Sequence, residues 1–236
     1  MDWNDILDQA IEHAQSADAA PPGWWTLLAL AVACVVVALP LTWRLLRPAV
    51  TIVHELGHGI IGMACGRRFT GFVVSGDMSG HAVTVGPSRG LGRVLSAWAG
   101  YPAPALVGAL LVQVAFGGWA RPVVTAILVV LALSLALVRS AHTLGAVLLA
   151  LAATGALWWL AGPTVLAAAV LAVGVLLLLG AWRHLGAVIG HGRAQDDPQQ
   201  LARLTGVPAW AWTLSYALVI GACTWWAWRA ISPHMA

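Results

Sequence analysis

The sequence has no lysine and few charged residues of any kind. Its twelve basic residues are all arginines, its acidic residues number nine, and charged residues make up 9% of the chain. A soluble domain usually carries about 25% charged residues, so this chain could not cover a water-facing surface. The net charge is only +3, and the arginines are scattered between apolar runs rather than gathered into a patch. This pattern excludes an ordinary soluble enzyme and does not indicate a nucleic-acid-binding protein.

Cysteine is also scarce. Cys34, Cys65 and Cys223 lie far apart in apolar runs, with no Cys-x-x-Cys pair. This spacing excludes a disulfide framework and favours small apolar side chains that face lipid or the core. What the chain has in quantity is apolar residues, which reach 60%. The composition therefore predicts a membrane protein, and its arginine-only, alanine-rich character favours the plasma membrane of a bacterium.

Long apolar runs predict an all-α polytopic membrane protein with about seven membrane helices. A helix of roughly 20 residues spans a bilayer. Residues 1–21 are polar and predict an amphipathic segment on the membrane surface. Residues 22–236 predict one membrane domain, with a polar loop at about 183–207. The expected spans are 24–43, 48–65, 94–116, 122–138, 141–161, 163–182 and 208–229. The runs at 122–138, 141–161 and 163–182 consist mainly of alanine, valine and leucine, which predicts helices that face lipid.

A short stretch with a different pattern follows the second span. Residues at about 69–86 contain two runs rich in β-forming side chains, separated by a segment rich in serine and glycine. Such an arrangement predicts a small β-hairpin inserted after the second helix. Its strands could hold an extended peptide by adding it as a further strand.

The second span carries the sequence His-Glu-x-x-His. His54 and His58 are four residues apart, so on a helix both imidazoles point the same way and can bind one zinc ion. Glu55 lies between them, in reach of a water molecule at the metal, and is the expected general base. It is the only acidic residue within an apolar span, and ionisable groups in membrane helices are costly and usually functional.

A catalytic zinc site needs three protein ligands and an open position, so a third ligand must come from elsewhere in the chain. Asp197 is one candidate, but Asp197 followed by Pro198 also resembles a helix N-cap, with Gln200 completing a capping box. The motif alone does not decide between these readings. Other residues that could complete the site are Asp77, Asp196, His81, His142, His184 and His191.

These motifs together resemble a known family. The zinc motif in a membrane helix, the β segment and the Ala-Gly-Tyr-Pro-Ala-Pro-Ala sequence at 99–105 are similar to the site-2 proteases, which are intramembrane zinc metalloproteases. The closest resemblance is to the compact bacterial B-like branch. That branch shares the pattern of aspartate, leucine, threonine and proline found at 197–208. The resemblance covers most of the chain between Trp43 and Trp212.

The resemblance implies a function and a set of site residues. His54, His58 and Asp197 would bind zinc, and Glu55 would act as general base in hydrolysing peptide bonds of membrane-protein or membrane-associated substrates. In the better-known family pattern a glycine follows the aspartate, whereas here Pro198 does. Two alternatives stay open at this point. One is a non-catalytic zinc-binding member of the family, and the other is a metal transporter, which would need ligands spread over several spans.

Overall fold

The computed structural model describes residues 20–74, 80–191 and 196–235, together with Asp5 and Asp8. The predicted surface segment at 1–21 lies almost entirely outside these ranges, as does Asp77. The helices are α1 (Gly23–Ala38), α2 (Pro40–Ala64), α3 (Leu91–Trp98), α4 (Pro102–Phe116), α5 (Ala120–Ser134), α6 (Ala141–Leu160), α7 (Pro163–His191), α8 (Asp197–Thr205) and α9 (Ala209–Ile231), and the strands are β1 (Arg68–Val74) and β2 (Gly80–Val85).

The described helices include fewer candidate membrane spans than the seven that the sequence predicted. Among the described residues, three helices are long and apolar enough to cross a membrane: Ala120–Leu137, α6 and Pro163–Gly190. Two sharply bent pairs, α1 with α2 and α3 with α4, raise the possible number to five if each pair is one crossing. The chain is therefore a helical membrane protein, but the expected seven helices are not confirmed. The division into a surface segment and one membrane domain stays a prediction.

The first bent pair corrects a predicted boundary. The expected span at 24–43 is interrupted because α1 ends at Ala38, Leu39 is extended, and Pro40 opens α2, with an angle of 101° between the helices. Proline disfavours a helical conformation in the residue before it and is accepted in the first helical turn. The motif helix therefore begins at Pro40 and continues through Pro48.

Helix α7 lies in the interior of the protein. The run at 163–182 was predicted to be lipid-facing, but Leu166, Ala167 and Leu171 are fully buried. The backbones of α7 and α4 approach so closely that a side chain at Gly108 would lie 2.6 Å from the carbonyl oxygen of Gly174. Hydropathy does not distinguish lipid from an apolar protein interior, which is why the prediction was wrong here.

The predicted β-hairpin is confirmed. Strands β1 and β2 pair antiparallel, with an irregularity between Phe69 and Gly71. The other edge of β1 is covered, because Arg139 donates through its guanidinium to the Thr70 carbonyl and Thr143 accepts from the Val74 amide at 2.7 Å. The hairpin is thus held against the start of α6, and these hydrogen bonds help to fix its position relative to α2.

Candidate metal centre

Helix α2 places the two motif histidines side by side. Their Nε2 atoms are 3.1 Å apart and their rings meet edge to face, with centroids 4.7 Å apart. This is the arrangement expected for residues one turn apart on a helix. His58 is 9% exposed, so its imidazole lies in the protein interior.

Asp197 completes a group of three converging atoms. Its Oδ2 lies 3.3 Å from His54 Nε2 and 3.2 Å from His58 Nε2. Ligand atoms of a tetrahedral zinc ion bound at about 2.0–2.1 Å lie about 3.3–3.4 Å from one another. The nearly equilateral triangle therefore matches one face of a zinc coordination tetrahedron. Two imidazole nitrogens and a carboxylate oxygen are also a ligand set that zinc accepts.

The hydrogen bonding of Asp197 agrees with this fit. Its Oδ2 is buried and has no aligned hydrogen-bond donor among the described residues, although two histidine nitrogens are close. Buried polar atoms without partners are rare in folded proteins. Burial raises the pKa of the Asp197 carboxyl, but the charge of the adjacent His58 outweighs that effect and holds the pKa below its usual value. The group is therefore a carboxylate, the form that binds metal.

The second nitrogen of His58 has a well-defined partner. Nδ1 lies 2.7 Å from the backbone carbonyl of Ser96, so it carries the proton and donates to that oxygen. In the neutral ring, which is the form that binds a metal, this hydrogen bond keeps the proton on Nδ1, leaves the Nε2 lone pair free and fixes the orientation of the ring. The Ser96 hydroxyl in turn donates to the His58 carbonyl at 2.9 Å. Sequence reasoning missed Ser96, because a single serine in an apolar helix carries no distinctive signal.

Glu55 lies beside these three side chains but is not one of the group that could hold a metal. It is only 4% exposed, and its carboxylate packs directly against Gly80, the first residue of β2. A side chain at Gly80 would overlap Glu55 Oε1. The hairpin therefore covers the residue that the sequence predicts as general base.

Glycines allow the surrounding segments to approach the motif. A Cβ at Gly57 would lie 2.9 Å from the Ala99 carbonyl oxygen, and one at Gly59 would lie 2.7 Å from the Phe69 ring. Gly100, at the break between α3 and α4, faces both histidines, and a Cβ there would lie 2.7 Å from His54 Cε1. The α3–α4 junction therefore packs against the motif helix at Gly57, and the hairpin packs against it at Gly59.

An aromatic stack borders the site next to His54. Tyr101 meets the His54 ring edge to face at 4.9 Å, and Tyr216 of α9 stacks on Tyr101 at 4.8 Å. Tyr216 is fully buried, and its hydroxyl has no hydrogen-bond partner in the described part of the chain. Tyr101 belongs to the sequence at 99–105 that carries the family resemblance, but the sequence assigned neither tyrosine a place beside the histidines.

The remaining candidates for a third ligand are placed elsewhere. Asp196, not Asp197, is the N-cap residue of α8, and its side chain makes no capping hydrogen bond. The predicted N-cap is therefore wrong by one residue.

The candidate histidines with described side chains also lie away from the three converging atoms. The ring of His184 packs against the ring of Trp43, with centroids 5.7 Å apart. His81 and His142 are exposed. The side chain of His191, like Asp77, lies outside the described residues.

Comparison with known proteins adds the family. The profile described as Peptidase M50B-like matches residues 27–227 of this chain. No curated protein and no solved structure matches it. The matched region includes His54, Glu55, His58 and Asp197, and it extends from α1 into α9. The resemblance seen in the sequence is thereby confirmed, and the chain belongs to the M50B-like peptidases of the site-2 protease family.

Proposed function

We propose that the protein is an intramembrane zinc metalloprotease that hydrolyses peptide bonds of membrane-protein or membrane-associated substrates. The observation that carries this proposal is the convergence of His54 Nε2, His58 Nε2 and Asp197 Oδ2, with Glu55 alongside. Membership in a peptidase family supports the same conclusion. We place the protein in the plasma membrane of a bacterium.

His54, His58 and Asp197 would hold the zinc ion. When bound, zinc polarises the scissile carbonyl and lowers the pKa of water from roughly 15.7 towards about 7. Glu55 takes a proton from the attacking water and delivers it to the leaving amine nitrogen. Burial of Glu55 beneath the hairpin keeps bulk water away from this proton transfer.

Strand β2 is the edge that suits an extended substrate. A helical membrane substrate must unfold locally before its backbone can be attacked, and an added strand would hold it open. The outer edge of β1 is already occupied by Arg139 and Thr143, whereas the sheet has no further strand beside β2 among the described residues. Because β2 begins at Gly80, next to Glu55, a peptide along this edge would pass close to the general base.

The test separates metal binding from catalysis. Glu55→Gln should keep zinc at the wild-type level and abolish cleavage, whereas Asp197→Ala should lose both. Zinc is measured by mass spectrometry of the purified protein, and cleavage by immunoblot after co-expression with a panel of tagged single-span membrane proteins. A fully active Glu55→Gln variant would refute the proposal.

Two further results would favour the alternatives. Bound zinc without cleavage of any protein in the panel would favour a non-catalytic family member. Zinc uptake into proteoliposomes without proteolysis would favour a transporter. The described residues contain one group of three metal-binding side chains, whereas a transport path would need several along the membrane, so we rank the protease first.

A further inference from the structure

Helix α3 contacts the proposed metal site through His58. The Ser96 carbonyl accepts from His58 Nδ1 at 2.7 Å, and the Ser96 hydroxyl donates to the His58 backbone at 2.9 Å. Ser96 is 1% exposed, so both hydrogen bonds are shielded from solvent. This side of α3 therefore determines the position of one proposed ligand.

The same short helix also holds the segment that carries Asp197. Arg93, one turn before Ser96, donates from its guanidinium to the Gln200 side-chain oxygen at 2.9 Å. Gln200 follows Asp197 by three residues on α8, so the two side chains lie on the same face of that helix. Trp98 donates to Ser215 of α9 at 2.9 Å. Side chains of α3 therefore form hydrogen bonds both with α8 and with the helix that follows it.

Helix α8 needs such support. It has nine residues, and an isolated helix shorter than about 12–15 residues is marginal in water. Asp197 is its first residue, and helix ends fray more readily than helix centres. A carboxylate in that position keeps a fixed distance from His58 only if tertiary contacts immobilise the first turns of α8. Leu201 is fully buried and anchors α8 by packing. The hydrogen bond between Arg93 and Gln200 fixes the orientation of the first turn of α8.

We propose that Arg93 is a positioning residue that acts through Gln200 to hold Asp197 at the metal. Helix α3 then sets the separation of two ligands, since it binds His58 through Ser96 and α8 through Arg93. This inference rests on the proposed metal site. It assigns a role to Arg93, a charged and half-buried residue that is not part of the His-Glu-x-x-His motif and has no part in the proposed hydrolysis.

A second route from Arg93 to Asp197 must be separated from the first. The guanidinium is near enough to the Asp197 carboxylate for a direct electrostatic interaction. A role through charge alone would not depend on Gln200. A role through the hydrogen bond predicts that removing either partner has the same effect, and that removing both adds nothing further.

The experiment measures metal affinity on the full-length protein in detergent, by zinc competition with a chelator. Arg93→Ala, Gln200→Ala and the double variant should each bind zinc about 10–100-fold more weakly than wild type, as found for partners that orient metal ligands. Arg89→Ala is the matched control, since Arg89 is exposed and precedes α3. Gln200→Glu keeps an acceptor for Arg93 and should retain wild-type affinity. The visible spectrum of the cobalt-substituted protein should change in the first three variants only.

Each result decides the matter. The role through Gln200 is overturned if Gln200→Ala binds zinc with wild-type affinity, or if the losses of zinc affinity in the two single variants add up in the double variant. It is also overturned if Gln200→Glu loses as much zinc affinity as Gln200→Ala. An equal loss in Arg89→Ala shows a general effect of removing arginine and overturns it too. Failure of the wild-type protein to bind zinc refutes the proposed metal site itself, which is a different outcome from zinc binding that is insensitive to Arg93.

Discussion

Replacing Gly100 by alanine should weaken metal binding while leaving the fold in place. The glycine lies between α3 and α4, facing the two histidines of the motif. A Cβ at this position would overlap the His58 ring and would lie 2.7 Å from His54 Cε1. The backbone at Gly100 does not require a positive φ, so the effect would come from the added methyl group alone.

The magnitude follows from the cost of overpacking. Inserting a methyl group into a filled site costs about 1–3 kcal/mol. The added methyl group would overlap the imidazole rings of His54 and His58. The strain is relieved when these rings move away from the positions at which their nitrogens converge with Asp197. If the whole cost appears as lost metal affinity, zinc should bind about 5- to 150-fold more weakly.

The assay is zinc competition with a chelator, combined with thermal unfolding of the metal-free protein. Gly145→Ala is the matched control, because a Cβ there would have no described atom of another segment within 4 Å. Gly145 lies within α6, where alanine is favoured over glycine by about 0.5–1 kcal/mol. The control should bind zinc normally and be as stable as wild type or more so. Wild-type zinc affinity in Gly100→Ala would refute the packing argument.

Two other substitutions test neighbouring parts of the site. Gly80→Ala would place a methyl group against the Glu55 carboxylate, so proteolysis should fall while the zinc content of the purified protein stays at the wild-type level; loss of zinc would contradict this separation. Tyr216→Phe removes a fully buried hydroxyl that has no partner in the described structure but keeps the ring stacked on Tyr101. It should raise the free energy of unfolding by about 1 kcal/mol, measured by denaturant unfolding in detergent, and a decrease would show that the hydroxyl has an unrecognised partner.

The local part of the site could be predicted from the amino-acid sequence. The spacing of His54 and His58 on a helix places both imidazoles on one face, whatever the rest of the chain does. The β-hairpin was predictable for a similar reason, because strand propensity and the turn that joins two strands are local properties. The scarcity of acidic residues narrowed the third ligand to a few candidates.

Which candidate lies next to the two histidines could not be predicted without the three-dimensional fold. Asp196 and Asp197 are neighbours in the chain, and the direction of each side chain depends on where α8 begins and on how α3 holds it. The burial of α7 could not be predicted either, because apolar residues are equally suited to face lipid and to pack in the protein interior. Ser96, Gly100 and Arg93 acquire their roles only through contacts between segments far apart in sequence, and such contacts leave no periodic signal in the chain.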